Sequence, residues 1–185
     1  MLRHIPNLLS ALRLLAAPAA AWAILEDHDT LALAMFAFAG LSDLADGFVA
    51  RRWGFTSPFG AWLDPIADKL LMLLCFVALF RIGAVPFWLV ALVIARDALI
   101  AAGAILARMA SLPMRIEPML IGKASTLVQV GYVGFLLLLL AFDLESPRLV
   151  AAAGYTVAVF AILSLAAYAQ LFLRAFLFGR ARRLT

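Results

Sequence analysis

The sequence predicts an all-α integral membrane protein, a single domain over residues 1–185 with six transmembrane helices and both termini in the cytoplasm. Composition is the first reason. Of 185 residues, 66% are hydrophobic and 14% charged, against roughly 45–50% and about 25% in an ordinary soluble domain. A mean hydropathy of +1.06 excludes a disordered chain, a coiled coil and almost any soluble enzyme. Segment length is the second reason, since six runs reach the roughly 20 mostly apolar residues that a bilayer crossing needs. The third is the placement of the basic residues, which alternates from one connection to the next.

The first span covers residues 5–25 and ends at Glu26-Asp27-His28-Asp29. Arg3, an apolar stretch and the small residues Ala19, Ala21 and Ala23 imitate a signal peptide. Arg13 interrupts that stretch and five further spans follow, so the segment is read as retained. The second span, 30–52, closes on Arg51, Arg52 and Trp53-Gly54. The third, 59–80, starts after Pro58 and stops at Arg81-Ile82-Gly83. The fourth, 86–108, opens on Pro86; the fifth, 120–142, runs out between Asp143 and Pro147; the sixth occupies 147–173. These runs are too long and too rich in Leu and Ala for barrel strands. The single cysteine, Cys75, sits in an apolar run and excludes both a disulfide framework and a thiolate metal cluster.

Arg3, then Arg51 and Arg52, then Arg108, Arg115 and Lys123, then Arg174, Arg180, Arg182 and Arg183 flank alternate connections. The remaining connections hold Arg81, Arg148 or no cation at all. The positive-inside rule therefore gives six crossings with cytoplasmic termini. The net charge of +4 reads as topology plus attraction to anionic headgroups, at about 1 kcal/mol per near-surface cation. Membrane lipids are the expected partners, and nucleic acid is not.

Of eleven acidic residues, Asp43, Asp46, Asp64, Asp68 and Asp97 lie inside predicted spans. Each costs roughly 2.5–3.5 kcal/mol at the centre of an isolated helix, less near the interface. Only Arg51, Arg52 and Lys69 lie near the first four in sequence, too few to pair them all. A transporter would show broken helices or repeated halves, whereas these acids gather at one cytoplasmic edge. A structural protein has no use for them. The reading that remains is a metal-assisted active site.

Spacing supports it. At 100° per residue, Asp46, Gly47 and Ala50 fall within about 60° of Asp43, and Asp64 and Asp68 are about 40° apart. Two helices joined by a short loop thus present two carboxylates each. Four converging carboxylates repel unless cations neutralise them. Oxygen-only ligands suit Mg²⁺ or Mn²⁺ rather than zinc, and two such cations fit phosphate-ester chemistry. Gly47, Ala50 and Gly60 leave the helix faces bare where a bulky phosphate approaches; plain helix packing through small residues is the competing use.

The stretch reads Asp43-x2-Asp46-Gly47-x2-Ala50-Arg51-x8-Gly60-x3-Asp64-x3-Asp68. It resembles the complete signature of the CDP-alcohol phosphatidyltransferases, integral membrane enzymes of phospholipid synthesis. The likeness extends to Ile5-Pro6-Asn7-Leu8-Leu9-Ser10 with Arg13 and Pro18, to Asp64-Pro65-Ile66-Ala67-Asp68-Lys69, to Arg96-Asp97, and to Gly122-Lys123 with Thr126 and Gln129. The resemblance implies a homodimer of six-helix subunits with a site open to the cytoplasmic leaflet. It implies two divalent cations held by Asp43, Asp46, Asp64 and Asp68, with Asp68 also taking the acceptor's proton. It places the nucleotide end of a CDP-linked donor against Asp46, Gly47, Ala50 and Arg51, with Gly60 lining the same site.

The acceptor is read from the fourth span. Family members that use glycerol-3-phosphate typically follow the Arg of that span with Glu and carry a further Leu-Arg pair. Here Asp97 follows Arg96, and Ala98 to Leu106 holds no cation. A phosphate monoester calls for a charge-assisted clamp, so the resemblance favours phosphatidylglycerol as acceptor and cardiolipin and CMP as products. Arg108 and Arg115 keep glycerol-3-phosphate, giving phosphatidylglycerophosphate, as the alternative.

Asn7, Arg13, Arg96 and Lys123 are further candidate substrate-binding residues. For Arg13 and Arg96 an internal ion pair competes with a substrate phosphate, and Asp97 reads as an orienting partner for Arg96 or Lys123. For Asn7 and Lys123 interfacial snorkelling competes with ligand contact. Trp53, Trp62, Trp88 and Tyr168 read as interfacial belt residues. With no Arg/Ser-rich leader before Ile5, the expected location is a bacterial cytoplasmic membrane, with a mitochondrial inner membrane as the alternative.

Overall fold

A computed structural model describes the backbone of residues 5–53, 58–110 and 119–181, and the side chains of 12–42, 66–110, 119–175 and 177. The described residues form six helices and no strand: α1 (Ile5–Leu25), α2 (Asp29–Trp53), α3 (Pro58–Arg81), α4 (Phe87–Met109), α5 (Leu120–Ala141) and α6 (Pro147–Ala181). Five of them match the expected spans to within a residue or so. The sixth continues past residue 173 to Ala181. Its 35 residues extend about 52 Å at 1.5 Å per residue, well beyond a hydrocarbon core about 30 Å thick. Arg174 marks where the apolar run weakens, but helix formation does not stop there.

Helix starts follow local chemistry. Pro58 and Pro147 open α3 and α6, where a missing N–H costs nothing. Asp29 stands in the first turn of α2, complementing the helix dipole. Helix ends repeat one device. Asp27 (φ 57°), Gly83 (φ 80°) and Asp143 (φ 51°) adopt the left-handed conformation just past α1, α3 and α5. At each, the next residue's N–H reaches back five positions: His28 to the Ala23 carbonyl at 2.8 Å, Ala84 to Leu79 at 2.9 Å, Leu144 to Leu139 at 2.8 Å. These are Schellman-type closures. They satisfy carbonyls that have no other partner at a helix end.

By length and composition, α4, α5 and Pro147–Ala175 of α6 are long and apolar enough to cross a membrane. Hydroxyls within the apolar helices bond to the carbonyl one turn back, as Ser42 does to Phe38 at 2.7 Å and Thr126 to Gly122 at 3.2 Å. That satisfies them without water.

The chain divides into two compact units, residues 1–86 with 133–146, and residues 87–132 with 147–185. In the first, α1 packs against both α2 and α3. Its buried face is a run of small residues, Ala16, Ala17, Ala20 and Ala23, ending at Ile24; small side chains let membrane helices approach closely. The two helices it packs on bury Ala32, Phe36 and Ala39 of α2 and Ala67, Leu71 and Phe76 of α3, with the sole thiol, Cys75, fully enclosed. In the second unit α4 pairs with α6, and the two helices bury Leu89, Val90, Val93, Val157 and Ala161. Gly103 admits the Phe172 ring so closely that an added Cβ would sit 2.6 Å from its Cδ2.

Candidate active site

The signature residues stand on uninterrupted helix. Asp43, Asp46, Gly47, Ala50 and Arg51 belong to α2, and Gly60, Asp64 and Asp68 to α3. The i,i+3 and i,i+4 spacings therefore translate into shared helix faces. Of these residues only Asp68 has a described side chain. The side chains of Asn7, Asp43, Asp46, Ala50, Arg51 and Asp64, with the surroundings of Gly47 and Gly60, lie outside the described residues.

Asp68 is engaged from α1. The Arg13 Nη1 donates to Asp68 Oδ1 at 3.0 Å, with the Arg13 side chain 0% and the Asp68 side chain 47% exposed. Arg13 continues the buried face formed by Ala16, Ala17, Ala20 and Ile24, at helical spacing. A cation so enclosed is tolerated only beside an acid. The pair thus joins an enclosed guanidinium to a carboxylate that remains half-accessible.

All four candidate metal ligands are carboxylates, a donor set that fits hard divalent cations such as Mg²⁺ or Mn²⁺. Among the described residues no three His, Cys, Asp or Glu side chains come together; Asp43, Asp46 and Asp64 lie outside that set.

The second unit holds a different polar cluster. Arg96 of α4, 4% exposed, donates from Nε and Nη2 to the Ser164 hydroxyl of α6 at 3.2 and 2.6 Å, and from Nη2 to the Gly122 carbonyl of α5 at 3.3 Å. Its Nη1 donates to Asp97 Oδ1 at 2.5 Å. One guanidinium ties three helices together, and Asp97 orients it. Gln129, also buried, donates to the Ser125 hydroxyl at 3.4 Å. Lys123, at the start of α5, is exposed.

Sequence reasoning missed three of these partners. Asp68 read as a site carboxylate, not as the partner of Arg13. Ser164 and the Gly122 carbonyl were not singled out, although a serine on the buried face of an apolar span is a usable signal. Tyr168 corrects an expectation. It is no interfacial belt residue: it is 8% exposed and its hydroxyl accepts the Met119 N–H at 3.2 Å. Gly122 is the reason, since a Cβ there would lie 3.0 Å from the Tyr168 ring and hydroxyl. Trp88 is exposed and stacks on Tyr155 at 5.7 Å.

Comparison with known proteins bears on these residues as a set. The sequence profile described as CDP-alcohol phosphatidyltransferase matches residues 3–175. A probable cardiolipin synthase (CMP-forming) of Drosophila melanogaster is 36% identical over 146 residues, 70% of this chain and 45% of that protein. The human cardiolipin synthase (CMP-forming) is 36% identical over 159 residues, covering 77% and 50%. A chloroplastic CDP-diacylglycerol–glycerol-3-phosphate 3-phosphatidyltransferase of Oryza sativa subsp. japonica is 32% identical over 162 residues, covering 78% and 49%. The chain spans about half the length of these relatives. The profile runs across the whole signature and through all six helices, and so the chain belongs to the CDP-alcohol phosphatidyltransferase family.

Proposed function

We propose that the chain transfers the phosphatidyl group of CDP-diacylglycerol to a hydroxyl of phosphatidylglycerol, giving cardiolipin and CMP. The observation that carries the reading is the eight-position signature, Asp43 to Asp68, divided between helices α2 and α3, with Asp68 half-accessible. The acceptor hydroxyl oxygen forms a bond to the phosphorus bearing diacylglycerol. The bond broken is that phosphorus to its bridging oxygen, which leaves with CMP, and Asp68 receives the hydroxyl proton. Two divalent cations, Mg²⁺ or Mn²⁺, held by Asp43, Asp46, Asp64 and Asp68, would neutralise charge at the pyrophosphate.

Asp46, Gly47, Ala50, Arg51 and Gly60 would receive the donor's nucleotide end, and Asn7 and Lys123 would reach phosphates from the interface. Arg13 and Arg96 are enclosed and engaged with protein acids, which favours the internal reading for both. The protein would act as one membrane domain, a homodimer, with six crossings and cytoplasmic termini in a bacterial cytoplasmic membrane.

The acceptor follows from α4. Leu99, Ile105 and Leu106 are exposed along Ala98–Leu106, a face suited to a second two-tailed lipid and lacking the cation a phosphate monoester calls for. The relatives named as CMP-forming cardiolipin synthases agree with this. The rice relative, whose name gives glycerol-3-phosphate as acceptor, keeps phosphatidylglycerophosphate synthesis as the second reading. The test is a competition of the two acceptors with CDP-diacylglycerol and Mn²⁺ or Mg²⁺, resolved by lipid mass spectrometry. Cardiolipin should dominate; phosphatidylglycerophosphate as main product would establish the second reading.

A further inference from the structure

We infer that Arg13 is a positioning residue for Asp68: it holds that carboxylate in place for proton transfer and does not grip a substrate phosphate. The inference rests on the reading of Asp68 as proton acceptor. Its basis is an asymmetry of exposure within one ion pair. Arg13 is wholly enclosed on the alanine face of α1, while its partner Asp68 is 47% exposed. A guanidinium reached by lipid phosphate would need access of its own, and this one has none. The carboxylate, by contrast, is gripped at Oδ1 from beneath and accessible from outside.

Two features make the grip rigid. The guanidinium is a planar fork with delocalised charge, so its bond to the carboxylate fixes direction as well as distance. Its stem stands in a row of Ala16, Ala17 and Ala20 at zero or near-zero exposure, in a helix that packs directly on α3. A general base must stay within hydrogen-bond reach of the proton it takes, and a displacement of about 1 Å costs on the order of a hundredfold.

The test uses the full-length protein in mixed micelles, with Arg13→Gln, Arg13→Lys, Asp68→Asn and the Arg13→Gln/Asp68→Asn double variant. Arg13→Gln should lower kcat about 10- to 100-fold with KM for both lipid substrates nearly unchanged, the pattern of an interaction realised only in the transition state. Arg13→Lys, which keeps the charge, should recover part of the loss and carries the comparison if the glutamine variant does not fold. The double variant should be no slower than Asp68→Asn alone, because residues acting as one unit are non-additive. Melting points in EDTA provide a readout independent of turnover: the two substitutions together should cost less than the sum of each alone.

A raised KM with kcat held would show a phosphate grip and overturn the inference. So would additive losses in the double variant, or parental kcat in Arg13→Gln while Asp68→Asn is inactive. Near-normal turnover in Asp68→Asn is a separate result: it would remove the base itself, and the inference with it.

Discussion

At Asp68 the sequence reading and the geometry meet in one side chain. A carboxylate used as general base typically contributes 10²–10⁴-fold. Asp68→Asn should therefore lose at least that factor in CMP release while still binding CDP-diacylglycerol, measured by turnover beside equilibrium binding. Metal removal tests the rest of the cluster. EDTA should abolish CMP release and added Mg²⁺ or Mn²⁺ restore it, whereas Asp43→Ala and Asp64→Ala should stay inactive at high metal yet remain folded. Full activity in EDTA, or rescue by zinc alone, would contradict an all-oxygen site. Spacing made the positions of these acids legible, because i,i+3 and i,i+4 repeats convert directly into a helix face. The partner of Arg13 was not legible, since it lies on another helix and periodicity carries no information about which helices meet.

At the level of elements, the turns after α1, α3 and α5 share a left-handed residue, but only one of the three uses glycine. A left-handed conformation costs an L-residue roughly 1–2 kcal/mol, and Asp tolerates it better than most. Gly83→Ala should accordingly lower the melting temperature in detergent by an amount equivalent to about 1–2 kcal/mol, while Asp143→Gly should leave it unchanged or raise it. A loss in Asp143→Gly equal to that in Gly83→Ala would count against a conformational origin. The helices themselves were legible from apolar run length and from Pro and acidic starts. The end of α6 was not, because hydropathy reports where lipid contact fades, and α6 remains helical through Arg174 to Ala181. Tyr168 was misread for a related reason: an aromatic near a span end looks like a belt residue until the glycine that admits its ring is seen.

For the whole molecule, the membrane character follows from composition, and the proposed topology from where cations fall. With cytoplasmic termini, the α1–α2 and α5–α6 turns face away from the cytoplasm and the end of α4 faces it. A cysteine placed at His28 or at Leu144 should be labelled by an impermeant maleimide on intact cells. One placed at Met109, 77% exposed, should be labelled only after permeabilisation. Labelling of all three, or of Met109 alone, on intact cells would reject that orientation. Acceptor choice was the least legible property, because the fourth-span pattern shows only that Ala98 to Leu106 holds no cation and does not identify the lipid that binds there.

The enclosure of Cys75 bears on every such measurement. It is the chain's sole thiol and is 0% exposed, packed within α3 among side chains that shield it from solvent and lipid alike. Wild-type protein therefore serves as its own silent background for site-directed labelling. Probes for distance, accessibility or crosslinking can be attached one at a time without first deleting a native cysteine from the core. Each inserted reporter then speaks for its own position, and the proposed dimer and the Arg13–Asp68 contact can be interrogated in the parent sequence.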